Sequence, residues 1–592
     1  MKICKKTTAL QRLAASMILL LIPVILSGCG ADLLNTLQGT NKSTNPQLVA
    51  TNTAAPTPEL VSIPTVESDD PSETPVPTLP SANTSGEIPG LIIYSLAEGG
   101  YFHLFAWHPE TLPPTRLTYG EWDDKHPAIS PDGRHLAFTS NRLGHWDLFI
   151  LDLTTGITTQ LTDDPAYEGH PDWSSDGIWL AYEKYVENNL DIYTRSFAAD
   201  VGELRITTHP SPDFEPAWQP GSTLLAFSSA RNGAIDIYFA ETGGESAPQN
   251  YTFNQTLDQR SPAWSPDGGT LVWVSRGKHY PALFRAEHSE QAAQAKSVTA
   301  SVESVWDPTG KYLLSVQSIP DAAWLAIQEA AALNYVVLPT QFPGQIAGID
   351  WGANALPVDL PAGIKEAAQS QPPAPWLDEL IPSAGALSGR QNLIDLPGIK
   401  APHPALTGLA VQPFFALKDR ANAELGWDLL SDLENMFVLI TEPLPPGRQN
   451  DWLYTGRAFA LNPVLIDYQY MLVVREEFGP DTYWRLFLKP LDQSGMMGEP
   501  LTQYPWDFDA RFSGSPTAYE NGGAPYLEIP GGYWVDFTTM ALNYGWERTP
   551  ALVTWQSYIQ GAQFNVFAIT SGLDWEDAML QLWPPEIFLG QN

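Results

Sequence analysis

The chain has 592 residues, 11% of them aromatic, two cysteines and a net charge of −36. That charge repels phosphate backbones and anionic headgroups, which excludes nucleic-acid reading and electrostatic membrane binding. Two cysteines, Cys4 and Cys29, exclude a disulfide scaffold and a thiolate metal site, so stability has to come from large apolar cores.

The N-terminus opens with Lys2, Lys5, Lys6 and Arg12, followed by the apolar run AASMILLLIPVILSG. The run is too short and too abruptly ended for a membrane span and reads as an export signal, residues 1–28. It closes on Leu26-Ser27-Gly28-Cys29, which resembles the bacterial lipobox, in which the cysteine is acylated. The resemblance implies lipidation at Cys29 and a protein anchored to a membrane on its extracytoplasmic face without spanning it. Removing the signal with its four basic residues takes the net charge from −36 to −40. Residues 29–88 are dominated by Pro, Thr and Ser and predict an extended tether, spanning roughly 50 to 180 Å between coil and polyproline limits.

From His126 the sequence HPAISPDGRHLAF recurs as HPDWSSDGIWLAY, EPAWQPGSTLLAF and SPAWSPDGGTLVW, with weaker copies ESVWDPTGKYLLS and IAGIDWGA. Aligned on Ile129, Trp173, Trp218, Trp264, Trp306 and Trp351, the spacings are 44, 45, 46, 42 and 45 residues. Each full unit holds an apolar strand, a turn of the SPDG kind (eroded to QPGS in the third unit and DPTG in the fifth), an alternating strand such as LAFTS, and two further strands, which is one propeller blade. Before the first unit, GLIIYSLAEGGYFHLFAWHPETLPPTRLTYG supplies only the later strands of a blade. After the last, GQIAGIDWG supplies only a first strand. Together they predict a sixth blade that closes the ring and removes its free edges, residues 89–352. At this period the tryptophans are core residues, and Asp132, Asp176 and Asp267 cap their own turns. The cluster TDDPAYEGHPDWSSDG has no calcium-loop register, so no metal or cofactor is expected. These units resemble the WD40-like repeats of the TolB type. That resemblance implies protein or peptide binding on one face or in the channel, and no catalysis.

Residues 353–390 read as a Pro/Ala-rich linker, and residues 391–592 as an α+β domain dense in Trp and Tyr. Here ALKDRANAELGWDLLSDLEN predicts a helix broken at Gly426. YMLVVREEFG and YWRLFLKPL predict strands, GGYWVDFTTMALNYGWE a turn then a helix, and LDWEDAMLQLWP a closing helix. The whole is a multidomain chain: an all-β six-bladed propeller followed by an α+β domain.

NDWLYTGRAFALN resembles a degenerate SWHxxGRAxD motif of zinc D-alanyl-D-alanine carboxypeptidases. The metal-ligand positions are Leu453 and Ala460, while Gly456, Arg457 and Ala458 remain. After residue 391 the only histidine is His403, so a zinc site is not expected. The resemblance implies a surviving groove, with Arg457 for a carboxylate and Trp452, Trp506 and Trp534 as aromatic binding surface. With no G-x-S-x-G, a serine hydrolase lacks its nucleophile elbow.

These features predict a non-catalytic envelope lipoprotein, with protein or peptide at the propeller and cell-wall polymer such as peptidoglycan, or a partner, at the second domain. The alternative is a cell-wall hydrolase (a carboxylate glycosidase or divergent peptidase) using acids among Asp507, Asp509, Glu520 and Glu547, with Glu528 and Asp536 nearby. A solute-binding lipoprotein is disfavoured because no two-lobed α/β pattern is present.

Overall fold

The computed structural model describes residues 87–588 apart from 198–201, 245, 255–256, 277–279, 289–291, 293–294, 321, 373, 377–390 and 446. The signal segment, Cys29 and the tether up to residue 86 lie outside the described residues. Among the described residues no helix is long and apolar enough to cross a membrane.

Six four-stranded antiparallel sheets form the six blades. Blade one takes its outer strands from Leu91–Glu98, Tyr101–His108 and Leu112–Arg116, and its inner strand from Ile346–Gly352, 230 residues later in the chain. Ile92 sits opposite Trp351, and Leu91 opposite Gly352, so the two ends of the repeat close in one sheet. Blades two to six begin on the inner strands Asp124–Ile129, Glu168–Trp173, Asp213–Trp218, Asp258–Trp264 and Glu303–Trp306.

The turn after each inner strand behaves as its sequence demands. Ser130 Oγ and the Arg134 amide both donate to Asp132. Asp176 and Asp267 repeat this in their own turns. The repeat tryptophans are buried and tie blades together: Trp173 Nε1 donates to Ala128 O at 3.0 Å, and Trp306 Nε1 to Ala263 O at 3.3 Å.

Inside four inner strands a proline interrupts the ladder, because it has no N–H to donate. The pairing register skips between Lys125 and Ala128, Gly169 and Asp172, Phe214 and Ala217, and Arg260 and Ala263. The residue before each proline takes positive φ: His126 50°, His170 46°, Glu215 54° and Ser261 49°. These are β-bulges, and they aim side chains into the propeller axis. Glu303–Trp306, which has no proline, pairs without a skip.

The stretch read as a linker contains a helix, Ala362–Gln369, with Ile364 and Ala367 buried. Tyr119 Oη donates to Glu366 at 2.8 Å, and Arg116 donates to Ser370, which fasten the helix to blade one.

The C-terminal part builds two four-stranded sheets. One is ordered Leu433–Asn435, Ala458–Leu461, Val566–Ala568, Glu547–Arg548; the other Met471–Phe478, Asp481–Leu488, Tyr533–Asp536, Glu499–Pro500. They pack with the helix Gly408–Leu425, whose Ala410, Phe414, Leu417, Ala421 and Leu425 form a buried stripe at three- and four-residue spacing. The helix ends at Gly426, φ 73°, but Trp427 to Ser431 do not resume it, and Leu433–Asn435 is a strand. Similarly, Tyr533–Asp536 is a strand and not a turn: Val535 and Trp534 are buried against neighbouring strands before the helix Phe537–Asn543 begins at Asp536.

Candidate functional site

The C-terminal domain sits over the propeller mouth at which the inner strands begin. Lys125 Nζ meets Glu499 at 2.6 Å while lying 4.8 Å from the Trp146 ring centroid. Tyr185 and Tyr533 pack edge to face at 5.1 Å, and Tyr504 Oη donates to Ala230 O at 2.9 Å. Thr539 Oγ1 donates to Gln345 at 3.0 Å, and the Arg420 guanidinium lies 4.1 Å from the Tyr101 ring. Propeller and C-terminal domain thus form one compact unit.

Between them lies a cavity of about 1520 Å³ that continues along the propeller axis and is lined by all six inner strands. It exceeds the roughly 300–1,000 Å³ of a typical small-molecule site.

The axial wall is built from carboxylates that link one blade to the next. Glu183 Oε2 accepts from the Glu215 amide at 2.9 Å, Glu215 Oε2 from the Ser261 amide at 2.7 Å, and Glu303 Oε1 from the Ile349 amide at 3.1 Å. Asp172 accepts from the Trp218 amide and Asp350 from the Ile129 amide, each at 2.5 Å. The bulges that free these amides from the ladder are thereby compensated across the blade junctions. Burial pushes Glu303 and Asp172 up to about 7 and Asp350 to about 6.

His126 and His170 stack at 3.5 Å in the same wall, and His170 Nδ1 is 2.8 Å from Glu183. Burial opposes charge on His170, yet Glu183 outweighs it and raises the imidazole to about 9. For His126, burial and the neighbouring His170 act together to push the pKa well below the usual value.

These shifts set the pH response. The raised carboxylates hold protons in the fold that the unfolded chain has released, so they lose stability as pH rises toward about 7. His170 contributes stability fully below its unfolded pKa of 6.5, and that contribution is lost as pH climbs through about 9. The melting temperature is therefore expected to fall between pH 6.5 and 9, with a shallower fall in His170→Gln. A melting temperature that rises over this range in differential scanning calorimetry would contradict the assignment.

Opposite this wall, the C-terminal domain presents an ion network. Glu476 accepts from Arg485 and Arg548, both at 2.7 Å, and Arg485 also donates to Asp536 at 2.7 Å. Arg475 pairs with Glu477 and lies 5.1 and 5.0 Å from the Trp506 and Trp555 rings.

Of the residues singled out from sequence, Trp506, Trp534 and Asp536 line the cavity. Arg457 does not. It is buried, and its guanidinium donates to Ile569 O, Thr570 O and Gln581 Oε1, so it fastens the C-terminal segment instead of facing a groove. Trp452 is half-buried in a cluster with Trp575 and Trp583, away from the cavity lining. Asp507 caps the turn Asp509–Phe512 by accepting from the Asp509 and Ala510 amides. Asp509, Glu520 and Glu528 are exposed, and Glu547 accepts from Thr570 Oγ1 at 2.6 Å. None of Asp507, Asp509, Glu520 and Glu547 lines the cavity. His403 pairs with Glu442 at 3.1 Å.

Within the acidic stretch after Thr162, Asp164 and Glu168 meet Glu203, and their oxygens lie within 4.8 Å of one another. Lys184 Nζ reaches all three, at 2.9 Å to Glu168 and to Glu203, so an ammonium already occupies the centre of this cluster.

No local pattern marks the channel acids, because Glu183 and Glu303 stand at unremarkable strand positions. The X-Pro step in HPAI, HPDW, EPAW and SPAW was the available signal for His126, His170 and Glu215.

The chain is 28% identical over 153 residues to the Tol-Pal system protein TolB of Francisella tularensis, covering 25% of this chain and 34% of that protein. It is 30% identical over 112 residues to the TolB homolog of Chlorobaculum tepidum, 19% of this chain and 25% of that protein. The chain thus spans about a third or less of the length of these TolB relatives. Among solved structures, TolB from Acinetobacter baumannii matches with TM-score 0.41 and 19% identity over 45% of this chain and 68% of that one. A putative TolB from Agrobacterium tumefaciens matches with TM-score 0.36 and 17% identity over 44% of this chain and 92% of that one. No family model matches.

Proposed function

We propose that this chain is a non-catalytic binding protein of the cell envelope, held by a lipid on Cys29, that grips a protein or peptide segment in the cavity between propeller and C-terminal domain. The observation that carries the reading is the cavity itself: about 1520 Å³, walled by aromatics and by acids already committed to backbone amides or arginines. Each of these acids spends at least one oxygen on an amide or guanidinium of the fold, a role that shapes the cavity. Similarity to TolB, a protein of the Tol-Pal system, supports a protein ligand. The C-terminal domain then acts as the cover of the site, and cell-wall contact is assigned to its outer surface.

The test places a photo-crosslinking residue at Gln345, which lines the cavity, and at Val358, which is fully exposed, in the full-length chain in its host. A discrete polypeptide adduct is expected from position 345 and not from 358. In parallel, the purified full chain is incubated with peptidoglycan and the supernatant assayed for fragments. Fragments lost on changing Asp507, Asp509, Glu520 or Glu547 to alanine would replace this reading with a hydrolase.

A further inference from the structure

Arg260 and Arg276 lie on one face of blade five. In the ladder Asp258 is opposite Arg276 and Arg260 is opposite Val274, so the two arginines are diagonal neighbours on the same side of the sheet. Both line the cavity, Arg260 buried and Arg276 half-buried.

These two guanidiniums have one nearby free carboxylate between them, Glu215. Asp258, the nearest acid by register, turns away and accepts from the Ile235 amide of blade four at 3.2 Å. Glu215 Oε1 lies 3.6 Å from Arg260 Nη1 and pairs with that arginine, while its other oxygen accepts from the Ser261 amide and Ser228 Oγ, so its single charge is engaged by Arg260 and not by Arg276. Arg260 donates to the Thr502 carbonyl of the C-terminal domain, while its buried Nε has no partner. Arg276 makes no ion pair among the described residues. The acids across the cavity do not supply one: Glu476 is held by Arg485 and Arg548, and Asp536 by Arg485.

A half-buried arginine beside a second arginine, with the nearby acids paired to other cations, gains from an anion that joins it. Burial and the neighbouring Arg260 charge press Arg276 down to about 10, the direction expected of a cation lacking a partner. From this geometry we infer that Arg276, backed by Arg260, binds a carboxylate of the ligand, and that the peptide enters with its C-terminal carboxylate at blade five. A planar guanidinium fork matches a carboxylate in two parallel hydrogen bonds, whereas an amide offers one acceptor and no charge. Trp506, on the C-terminal side of the cavity, offers an apolar wall for the residues that precede the terminus.

The inference rests on the peptide-binding reading, and its test separates the two. N-acetyl-tetra-alanine, its C-terminal amide and citrate are titrated into the purified full chain by calorimetry at constant ionic strength. The free acid and citrate are expected to bind, with amidation weakening the peptide about tenfold or more. Arg276→Ala is expected to weaken the free acid and citrate by a similar factor without lowering the melting temperature, since no pairing is lost. Arg276→Lys keeps part of the affinity for both. Peptide binding indifferent to amidation and to Arg276 would overturn the carboxylate site and leave the cavity as a peptide site. Failure of the acid, the amide and citrate alike would overturn the carboxylate site too, and crosslinking at Gln345 would then decide alone whether the cavity binds polypeptide.

Discussion

Glu476→Ala is expected to destabilise the folded chain by about 3–5 kcal/mol, the cost of leaving buried charge without its partner. Glu476 lies on the strand Met471–Phe478 and holds two guanidiniums at 2.7 Å each. Arg548 is 5% exposed at its side chain, so it cannot exchange the lost carboxylate for water, whereas Arg485 retains Asp536. The change therefore strands Arg548 above all. Glu476→Gln keeps an acceptor and the shape of the site, and should cost less than the alanine. Thermal unfolding of both variants at pH 7 checks the order. Burial works against a charged Glu476, but the two arginines overcome it and hold its pKa far below the usual range. Its contribution is present above the unfolded value of 4.5 and is lost as pH falls, so the gap between wild type and Glu476→Ala should narrow in acid. Equal melting temperatures at pH 7 would show that the network does not hold the cavity's C-terminal wall.

Trp351→Ala is expected to cost a similar 3–5 kcal/mol, the usual range for emptying a buried tryptophan site. Its additional effect is local. Trp351 stands on the strand that closes the propeller, opposite Ile92, and its Nε1 donates to Pro89 O at 2.8 Å. Removing it weakens the junction between the two ends of the repeat, the one blade whose strands are not contiguous in sequence. Hydrogen exchange should therefore accelerate first in Leu91–Glu98 and Ile346–Gly352, before blades three to five. Trp218→Ala serves as the control: this tryptophan is also buried but donates to Ser222 O within its own turn, so its loss should not open the ring at blade one. Uniform exchange across all blades in Trp351→Ala would refute the closure argument.

The propeller was legible in the chain because its determinants are local. A Pro-Asp-Gly turn, an alternating strand and a fixed period near 45 residues each act over a few residues. Two half-blades at the ends leave edge strands that only pairing with each other can satisfy. Asp132, Asp176 and Asp267 cap turns two residues away, which sequence distance alone can reveal. The same holds for the helix ending at Gly426 and the strand Met471–Phe478.

The site was decided at longer range. Arg457 looked like a ligand-facing residue in a short motif, but carbonyls 112 and 113 residues downstream claim its guanidinium. Glu183 matters because a bulge in the next blade presents the Glu215 amide to it, 32 residues away. Arg276 matters because Asp258, its partner by register, is taken by another blade. In each case the outcome depends on which polar groups are left over once packing has assigned partners to the rest. That remainder is a property of the assembled three-dimensional arrangement: burial makes every unpaired donor, acceptor or charge costly, and only the fold determines which ones stay unpaired.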